Sequence, residues 1–519
     1  MITRVTQQSL YGSVVRQNNA ALSKLMATNN QASTQKRINA PSDDPNGAVQ
    51  VLGTRTDLSQ LTQYQRNSDT AQGWLTQADS TLTSVSTLVT SIKGYAEQAA
   101  TGTVTDENRG EIASAVRQYF EQLISMANVT YDGQSLFAGQ KTDTEAYAMG
   151  LGLTSNDTAF DTALEQFPAP GYTLDGNSAS TILVQFTDTA ASPPAFEYTA
   201  DGGTTWQTGS YATPAPSADT QTLQLGGVSL TMSNTALASV TASADHDDAD
   251  GTWLWIRPTA NYQGNNNDDV SVTSANNSVS ATAEGTFSGN VQVRLDDTSG
   301  SPYAYSYSTD GGASWVTGNT SGAVGATVPL AVPGGILTLD TTTVPADGDQ
   351  FFIQPSTADV SIAISPTDSV VVNGVGKDIF GGMYRTTVTD AATGATATVN
   401  KAATFDGSVS GNLLETVGKL VGYLETNNQG GIQDCLDDLT TSQNEVLVAA
   451  ASVGAKENRV SSAKTMVTTL AENATTTLSN VEDADLTALI TKLSEQELAY
   501  QAVLKSSSMV MNLSLVSYI

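Results

Sequence analysis

The chain has 519 residues, which is too long for one ordinary domain and indicates about three or four units. It carries 52 acidic residues against 22 basic ones, a formal net charge of −30. This charge argues against nucleic acid or an anionic membrane as a partner, because the phosphates would be repelled.

The first predicted element is a long N-terminal helix with a weak apolar stripe. The stripe consists of Tyr11, Val15, Leu22, Leu25 and Ala32, and Asn18 and Asn29 interrupt it. A narrow stripe on a long helix needs a partner, because an isolated helix would leave it in water. We expect this helix to order only against other subunits.

The segment KRINAPSDDP (36–45) follows this helix and raises the question of an acidic site. Pro41 disfavours a helical conformation in the residue before it, so the sequence predicts that the first helix ends at Ile38 and Asn39. Adjacent carboxylates beside two basic residues could hold a metal or act as a catalytic pair. A joint between two helices also explains these carboxylates, and it requires neither a metal nor a catalytic role.

The start of the second helix supports the joint. Asp44 is a natural N-cap with Pro45 at the first helical position, and Asp43 adds favourable negative charge there. Lys36 and Arg37 are expected to complement the negative end of the preceding helix. The predicted joint residues are Pro41, Asp43, Asp44 and Pro45.

The next helices show a coiled-coil rhythm. Apolar residues recur in steps of three and four at Leu75, Ala78, Leu82, Val85, Val89, Ile92, Ala96 and Ala99. Thr105 is a predicted N-cap for a third helix, whose apolar face is Ile112, Val116, Tyr119, Leu123 and Met126. The C-terminal part repeats such stripes, ending with Leu486, Ile490, Leu493, Tyr500, Leu504 and Met511.

Between roughly 165 and 365 the helical period gives way to short β-type runs separated by Gly, Pro, Thr and Asp. This region contains an internal repeat. Three blocks recur in the same order: VQFTDT (184–189) with VRLDDT (293–298), FEYTADGGTTWQTG (196–209) with YSYSTDGGASWVTG (305–318), and DGTWLWIRP (250–258) with DGDQFFIQP (347–355). The sequence therefore predicts two copies of one β module, the second of them shorter.

Each copy contains a pattern similar to the Asp-box, a turn motif found in sialidases. Its residues are Asp201, Gly203 and Trp206 in the first copy and Asp310, Gly312 and Trp315 in the second. We interpret the pattern as a hairpin turn in which the Asp accepts from turn amides, the Gly supplies positive φ and the Trp packs beneath. A glycan site is the alternative.

Motifs that carry chemistry are scarce. The sequence has no glycine-rich phosphate loop, no His or Cys metal spacing and no nucleophile elbow. Cys435, the only cysteine, excludes an intramolecular disulfide and is interpreted as a small buried hydrophobe. His246, the only histidine, lies in ADHDDADG (244–251), where a solvated loop is favoured over a weak cation site. We expect no cofactor, no metal and no enzyme activity.

Both ends of the chain resemble the bacterial flagellin family. KRINAPSDDPNGA (36–48) is similar to the conserved N-terminal segment of that family. The other similar segments are LSQLTQYQRNSDTAQGWLTQADSTL (58–82), YDGQSLFAGQ (131–140), VNGVGKDIFGG (372–382), VGAKENRVSSA (453–463) and LSEQELAYQAVLKSSSMVMNLSLVSYI (493–519). Pro41, Pro45 and the ending LSLVSYI resemble the L-type hook-associated proteins at the hook–filament junction more than flagellin itself, which is the first alternative.

The predicted fold class is α+β multidomain. Long N- and C-terminal helices pair into an α-helical bundle or coiled coil, and two tandem antiparallel β-rich modules are inserted in the middle. The predicted parts are terminal helices 1–43 with 480–519 as an inner assembly domain, a helical bundle with small β-hairpins at 44–165 with 366–479, a first β module at 166–265 and a second at 266–365.

The resemblance implies a structural subunit of the extracellular flagellum, exported unfolded through the type III channel without a cleaved signal peptide. Implied partners are a neighbouring hook-associated protein, flagellin, a cytoplasmic export chaperone and further copies in a ring, with no membrane or nucleic acid. The predicted assembly residues are Tyr11, Val15, Leu22, Leu25, Tyr500, Leu504 and Met511. Two further hypotheses are a secreted adhesin acting through the β modules and a glycan-handling enzyme with a carboxylate pair.

Overall fold

The computed structural model of the chain describes residues 7–516, apart from 214, 216, 244, 247–249, 266–269, 276–278, 286, 288, 356–357, 390–395 and 406–407. Its helices are α1 (Gln7–Thr34), α2 (Pro45–Ala99), α3 (Asp106–Ala127), α4 (Thr158–Leu164), α5 (Asn234–Ser239), α6 (Gly376–Phe380), α7 (Leu413–Glu425), α8 (Gln429–Glu482) and α9 (Leu486–Val516). Within the described residues, no helix combines the length and the hydrophobicity that crossing a membrane requires.

The strands of the N-terminal half and first repeat are β1 (Thr130–Tyr131), β2 (Gln134–Ser135), β3 (Tyr147–Ser155), β4 (Tyr172–Gly176), β5 (Ile182–Asp188), β6 (Ala195–Thr199), β7 (Gln207–Thr208), β8 (Ser210–Tyr211), β9 (Thr220–Leu225), β10 (Val228–Ser233) and β11 (Trp253–Tyr262). The remaining strands are β12 (Val270–Ser274), β13 (Ala281–Gly285), β14 (Val291–Asp297), β15 (Ala304–Ser308), β16 (Val316–Thr320), β17 (Thr327–Val332), β18 (Gly335–Asp340), β19 (Gln350–Pro355), β20 (Ser361–Ala363), β21 (Ser369–Val371), β22 (Met383–Thr389) and β23 (Thr396–Ala402).

The described chain forms two compact units. The first takes in the described residues of Met1–Thr70, Ala363–Ser369 and Arg459–Ile519, and the second takes in those of Ala71–Ile362 and Val370–Asn458. The first unit is thus mainly helical, with α1, α9, the beginning of α2 and the end of α8. The second contains the remaining helical segments and both repeats.

The helices of the second unit bury the predicted stripe. Every member of the α2 stripe from Leu75 to Ala99 is buried. Side-chain hydrogen bonds join α2 to α8, from Gln443 Nε2 to the Ser86 carbonyl at 3.2 Å and from Lys93 Nζ to Thr440 Oγ1 at 2.8 Å. On α3 the buried face is rotated from the predicted one, since Phe120 and Ile124 are buried where Tyr119 and Met126 were expected.

The first β module consists of two packed sheets. A seven-stranded sheet has the order β23-β22-β11-β5-β6-β7, with β3 also paired to β11, and a four-stranded sheet has the order β4-β10-β9-β8. Side chains from both sheets and from α4 and α5 share one apolar core, which includes Phe186, Phe196, Leu223 and Leu254. The pairs are antiparallel except β11 with β22, which is parallel.

The second β module repeats this topology. Its sheets have the orders β12-β19-β14-β15-β16 and β13-β18-β17 around a core that includes Val293, Tyr305, Leu337 and Phe351. The strands β4, β5, β6, β9, β10 and β11 correspond in order and neighbours to β13, β14, β15, β17, β18 and β19. Even the register irregularity between β5 and β6 recurs between β14 and β15. The predicted fold class, with its tandem modules, is confirmed.

The first sheet also takes strands from outside residues 166–265. The long strand β3 pairs along nine residues of β11, and β22 and β23 extend the other side of the sheet. None of these three strands belongs to the repeat. They attach the first module to the helical part of the second unit.

A buried ion pair connects this sheet to α7. Arg257 on β11 donates from Nη2 to Glu415 Oε2 at 2.6 Å, and both side chains are almost fully buried. Arg257 Nε also donates to Thr154 Oγ1 at 2.7 Å, and Thr259 donates to Glu415. Burial by itself raises the pKa of Glu415, but the charge and hydrogen bond of Arg257 outweigh it and hold that pKa below its usual value.

Removing one partner of this pair is expected to destabilise the second unit strongly. Glu415→Gln leaves the Arg257 guanidinium buried without its counter-charge, and the loss in unfolding free energy should be about 3–5 kcal/mol. Urea unfolding followed by tryptophan fluorescence measures it. Replacing both partners, with Arg257→Met and Glu415→Leu, should recover most of the loss. A single variant as stable as the wild type would contradict the assignment.

Candidate functional site

The joint between α1 and α2 is built around the end of α8. Helix α1 ends at Thr34, and Gln35 has a φ of 58°, so the predicted end at Ile38 and Asn39 is wrong by four residues. The cause is long-range: residues 36 and 37 leave the helix to pair with residues 481–483. Arg37 N donates to the Glu482 carbonyl at 2.7 Å, and Lys36 forms an antiparallel bridge with Asp483.

The two adjacent aspartates each close a local turn. Asp43 accepts from the backbone amides of Asn39 and Ala40 at 3.0 and 2.9 Å. Asp44 precedes α2 and accepts from the Gly47 amide at 3.0 Å, with Pro45 as the first helical residue. The Gly47 hydrogen bond, followed by that from Arg37, lowers the pKa of Asp44. Pro41 is exposed and begins the turn that contains Asp43.

Glu482 receives the basic residues of the joint. Its side chain is only 3% exposed, and it pairs with Lys36 and with Arg55 of α2. The Arg55 Nε to Glu482 Oε2 distance is 3.2 Å. Burial alone raises the pKa of Glu482, but the hydrogen bonds of Lys36 and Arg55 outweigh it and hold the pKa below its usual value. Lys36 therefore neutralises this carboxylate rather than the negative end of α1.

Helices α1 and α9 leave the joint together and pair. The Ala484 amide donates to the Gln35 carbonyl at 3.0 Å, which places the end of α1 beside the start of α9, so the pair is antiparallel. Leu25 and Tyr500 are half-buried in it, as are Val14 and Leu493. The pair also encloses polar groups, because the buried atoms Asn18 Oδ1 and Gln496 Oε1 have no hydrogen-bond partner within the described residues.

A second apolar set on the same helices faces outward. Tyr11 is 60% exposed, Val15 41%, Leu22 36% and Leu504 41%. Further exposed apolar residues of the pair are Met26, Leu486, Ile490, Leu498 and Met509. Of the seven predicted assembly residues, four are therefore exposed and two are half-buried, while the Met511 side chain lies outside the described residues. Met26 is not part of the predicted stripe, because it directly follows Leu25, which already occupies that position of the stripe.

The two Asp-box turns have matching geometry. Asp201 Oδ1 accepts from the Thr205 amide at 2.9 Å and from Thr199 Oγ1 at 2.7 Å, and Asp310 has the corresponding bonds from Ser314 and Ser308 at 2.9 and 2.8 Å. Hydrogen bonds lower the pKa of Asp201 and of Asp310 to about 2. The largest contribution comes from Thr205 for Asp201 and from Ser314 for Asp310. Gly203 and Gly312 have φ values of 96° and 90°.

The two box tryptophans differ in their partners. Trp206 is half-buried and stacks on His246, with ring centroids 3.9 Å apart, whereas the Arg294 guanidinium lies 4.7 Å from the centroid of Trp315. His246 is further held by Gln185 at Nδ1 and by Glu197 at 3.1 Å from Nε2. Most of the acidic loop beside it, including Asp247 and Asp248, lies outside the described residues.

The described residues contain no group of three or more His, Cys, Asp or Glu side chains placed to hold a metal ion. Cys435 is buried, and burial raises the pKa of its thiol to about 12. The functional residue that sequence reasoning missed is Glu482, whose partners Lys36 and Arg55 are more than 400 positions away. No local pattern identifies such a partner.

Known proteins were compared with the chain at the level of family, sequence and structure. Residues 5–142 match the family described as the bacterial flagellin N-terminal helical region. Flagellar hook-associated protein 3 of Escherichia coli K12 is 27% identical over 192 residues, which cover 37% of this chain and 60% of that protein. Flagellin B of Helicobacter pylori J99 is 31% identical over 143 residues, 27% of each chain. Crystalline FlgL of Xanthomonas campestris is 15% identical, with a TM-score of 0.30, over 82% of this chain and 98% of that one.

These matches give the class of protein that the chain is similar to: residues 5–142 match the bacterial flagellin N-terminal helical region. Within that class the chain is similar to flagellar hook-associated protein 3, and the predicted resemblance is confirmed. The chain spans only 60% and 47% of the lengths of the Escherichia coli and Salmonella typhimurium hook-associated proteins that it matches.

The Glu482 cluster gives a prediction for pH dependence. A lowered pKa means that the cluster stabilises the first unit above the ordinary Glu value of 4.5 and that this contribution is lost as pH falls through the lowered pKa. Glu482→Gln should therefore lower the unfolding free energy at pH 7 by about 1–2 kcal/mol, discounted because Lys36 and Arg55 are half-exposed.

In thermal unfolding at a series of pH values, the difference between wild type and Glu482→Gln should begin to shrink near the ordinary Glu value of 4.5 and should close once the pH is below the lowered pKa of Glu482. Glu472→Gln, an exposed change on the same helix, is the matched control and should have no effect. A gap that persists unchanged at acid pH would show that the carboxylate charge is not what stabilises the joint.

Proposed function

We propose that the chain is a structural subunit of the bacterial flagellum that assembles between hook and filament through its two terminal helices. The observation that carries the proposal is the outward apolar set on the α1–α9 pair, in a chain whose residues 5–142 match the flagellin N-terminal region. Similarity to hook-associated protein 3 supports the position in the flagellum. The role requires no catalysis.

The α1–α9 pair has features that favour binding to another subunit: exposed apolar side chains and unpaired buried polar atoms. Burying one Leu side chain stabilises an interface by about 1.5–3 kcal/mol, and Tyr11, Val15, Leu22 and Leu504 are still available for such burial. The polar atoms of Asn18 and Gln496 inside the pair reduce its own stability, since an unpaired buried polar group costs about 1–3 kcal/mol. The apolar surface exposed by one copy is therefore available to the next copy in a ring.

The proposed assembly has defined partners and parts. A neighbouring hook-associated protein would lie on one side and flagellin on the other, after type III export with a cytoplasmic chaperone. The terminal helices 1–43 and 480–519 would form the inner assembly domain. Residues 44–165 with 366–479 would form a helical bundle domain, and 166–265 and 266–365 would be the β modules. The filament subunit is the second candidate, favoured by the match to Flagellin B.

Deletion of the gene and immunogold labelling of flagella together test the position. A junction subunit should label only the boundary between hook and filament, and cells without it should retain hooks while releasing unassembled flagellin into the medium. Labelling along the whole filament would support the filament subunit instead. Loss of surface adhesion with intact flagella would favour the adhesin.

Charge placed on the outward apolar set should block assembly without unfolding the subunit. Leu22→Asp or Leu504→Asp should reduce incorporation into flagella at least about tenfold, because each copy loses the burial of one leucine, worth at least 1.4 kcal/mol. Quantitative labelling of isolated flagella measures incorporation. Val344→Asp, at a 79% exposed position of the second repeat, is the matched control and should assemble normally. Wild-type incorporation of both leucine variants would contradict the assigned surface.

Replacing the unpaired polar groups should strengthen the α1–α9 pair. Asn18→Leu combined with Gln496→Leu removes two unsatisfied buried oxygens and adds apolar contact, so the pair should gain about 1–3 kcal/mol per site. Limited proteolysis should cut the termini of the double variant more slowly than those of the wild type. Asn29→Leu, at an exposed position of α1, should leave the cleavage rate unchanged. Faster cleavage of the double variant would show that the polar groups stabilise the pair.

A further inference from the structure

The first β module has an open cleft that none of the assembly contacts uses. Its volume is about 670 Å³, within the range of about 300–1,000 Å³ for ligand sites. Its walls are the Asp-box turn at 201–206, Trp253 of β11, the beginning of α3 and the end of α7. All of these segments lie in the second unit.

Two half-buried indoles form the floor of the cleft. The Trp206 and Trp253 ring centroids are 6.1 Å apart at an interplanar angle of 82°, so two nearly perpendicular indoles line the same cleft. Trp206 is fixed by His246 stacked upon it, and Trp255 packs beside Trp253 at 6.4 Å. Indole surface left open to water in a concave site is apolar area that a ligand can bury.

The rim is polar and rigid. Asn427 Nδ2 donates to Asp106 Oδ1 at 2.6 Å, and Arg109 fixes the other end of the same amide. Glu425 is held by Arg117 at 2.7 Å. Hydroxyl, amide and carboxylate groups therefore surround the indoles in set positions, and no Lys or Arg is among the described residues that line the cleft. Acidic rim groups, Asp106 and Glu107 among them, would repel an anion.

The second repeat lacks one of the two indoles that line this cleft in the first repeat. In paired strands, Trp253 lies opposite Gln185, and at the equivalent place Gln350 lies opposite Arg294. The second copy thus has no indole at the position of Trp253, and its own box tryptophan is covered by Arg294.

We propose that the Trp206–Trp253 cleft binds a neutral oligosaccharide. A pyranose ring has an apolar C–H face that would lie on an indole and hydroxyl groups at its edge that would reach Thr204, Asn427 and the rim carboxylates. The inference concerns residues that the α1–α9 pair does not include, so it stands or falls independently of the proposed function.

Binding of known sugars to the full-length chain tests the proposal. The probes are lactose, maltotriose and chitotriose, with 3′-sialyllactose as the anionic counterpart of lactose, followed by tryptophan fluorescence and calorimetry. At least one neutral probe should bind with a Kd at or below about 1 mM, and Trp253→Gln should weaken it at least about tenfold. The sialylated probe should bind more weakly than lactose. The matched change Trp315→Gln in the second repeat should leave binding unchanged.

A second variant separates loss of binding from misfolding of the Trp253→Gln protein. A Cβ at Gly110 meets no atom within 4 Å, so Gly110→Phe should fill the cleft from α3 and abolish binding while the fold, checked by circular dichroism, is retained. The proposal is overturned if no neutral probe binds at this level, or if both cleft variants bind like the wild type. Binding of free arginine without binding of any sugar would overturn it as well, by assigning the cleft to organic cations.

Discussion

The terminal part of the protein depends on the neutralisation of one buried carboxylate. Glu482 ends α8 with only 3% of its side chain exposed, and a charge in such a place is costly unless it is paired. Lys36 from the joint and Arg55 from α2 supply the compensating charges. Because these three residues come from three segments, one interaction holds together the joint after α1, helix α2 and the end of α8. The pairing of α1 with α9 follows from that placement.

The helical segments of the two units differ in how completely they bury their apolar side chains. In the second unit the stripe from Leu75 to Ala99 is fully buried, and the ion pair of Arg257 with Glu415 ties a sheet to the bundle. In the first unit α1 and α9 pack mainly against each other, and they enclose Asn18 and Gln496 while leaving Tyr11 and Leu22 exposed. The helix pair thus encloses polar groups as well as apolar ones and leaves apolar side chains exposed, and we propose that a neighbouring subunit buries this exposed surface.

Local patterns predicted a large part of this structure. Residues close together in the sequence determine the heptad stripe, the N-cap at Thr105 and the three repeated blocks. The helices and the two β modules of the structure agree with the predictions from these patterns. Long-range contacts decided the rest. Helix α1 stops at Thr34 because residues 36 and 37 pair with residues 481–483, and β3 joins a sheet whose other strands begin 27 or more residues after its end. The cleft combines Trp253 of β11 with the end of α7, segments far apart in the sequence, and periodicity does not reveal that combination.

Hydrogen–deuterium exchange can test assembly through the chain ends, by comparing the free subunit with the same protein in isolated flagella. Peptides from α1 and α9 should exchange rapidly in the free subunit and become strongly protected after assembly. Peptides from β14 to β17 of the second repeat, which serve as the internal reference, should change little. Terminal helices that exchange equally in both states, with protection appearing only in the β modules, would contradict assembly through the chain ends.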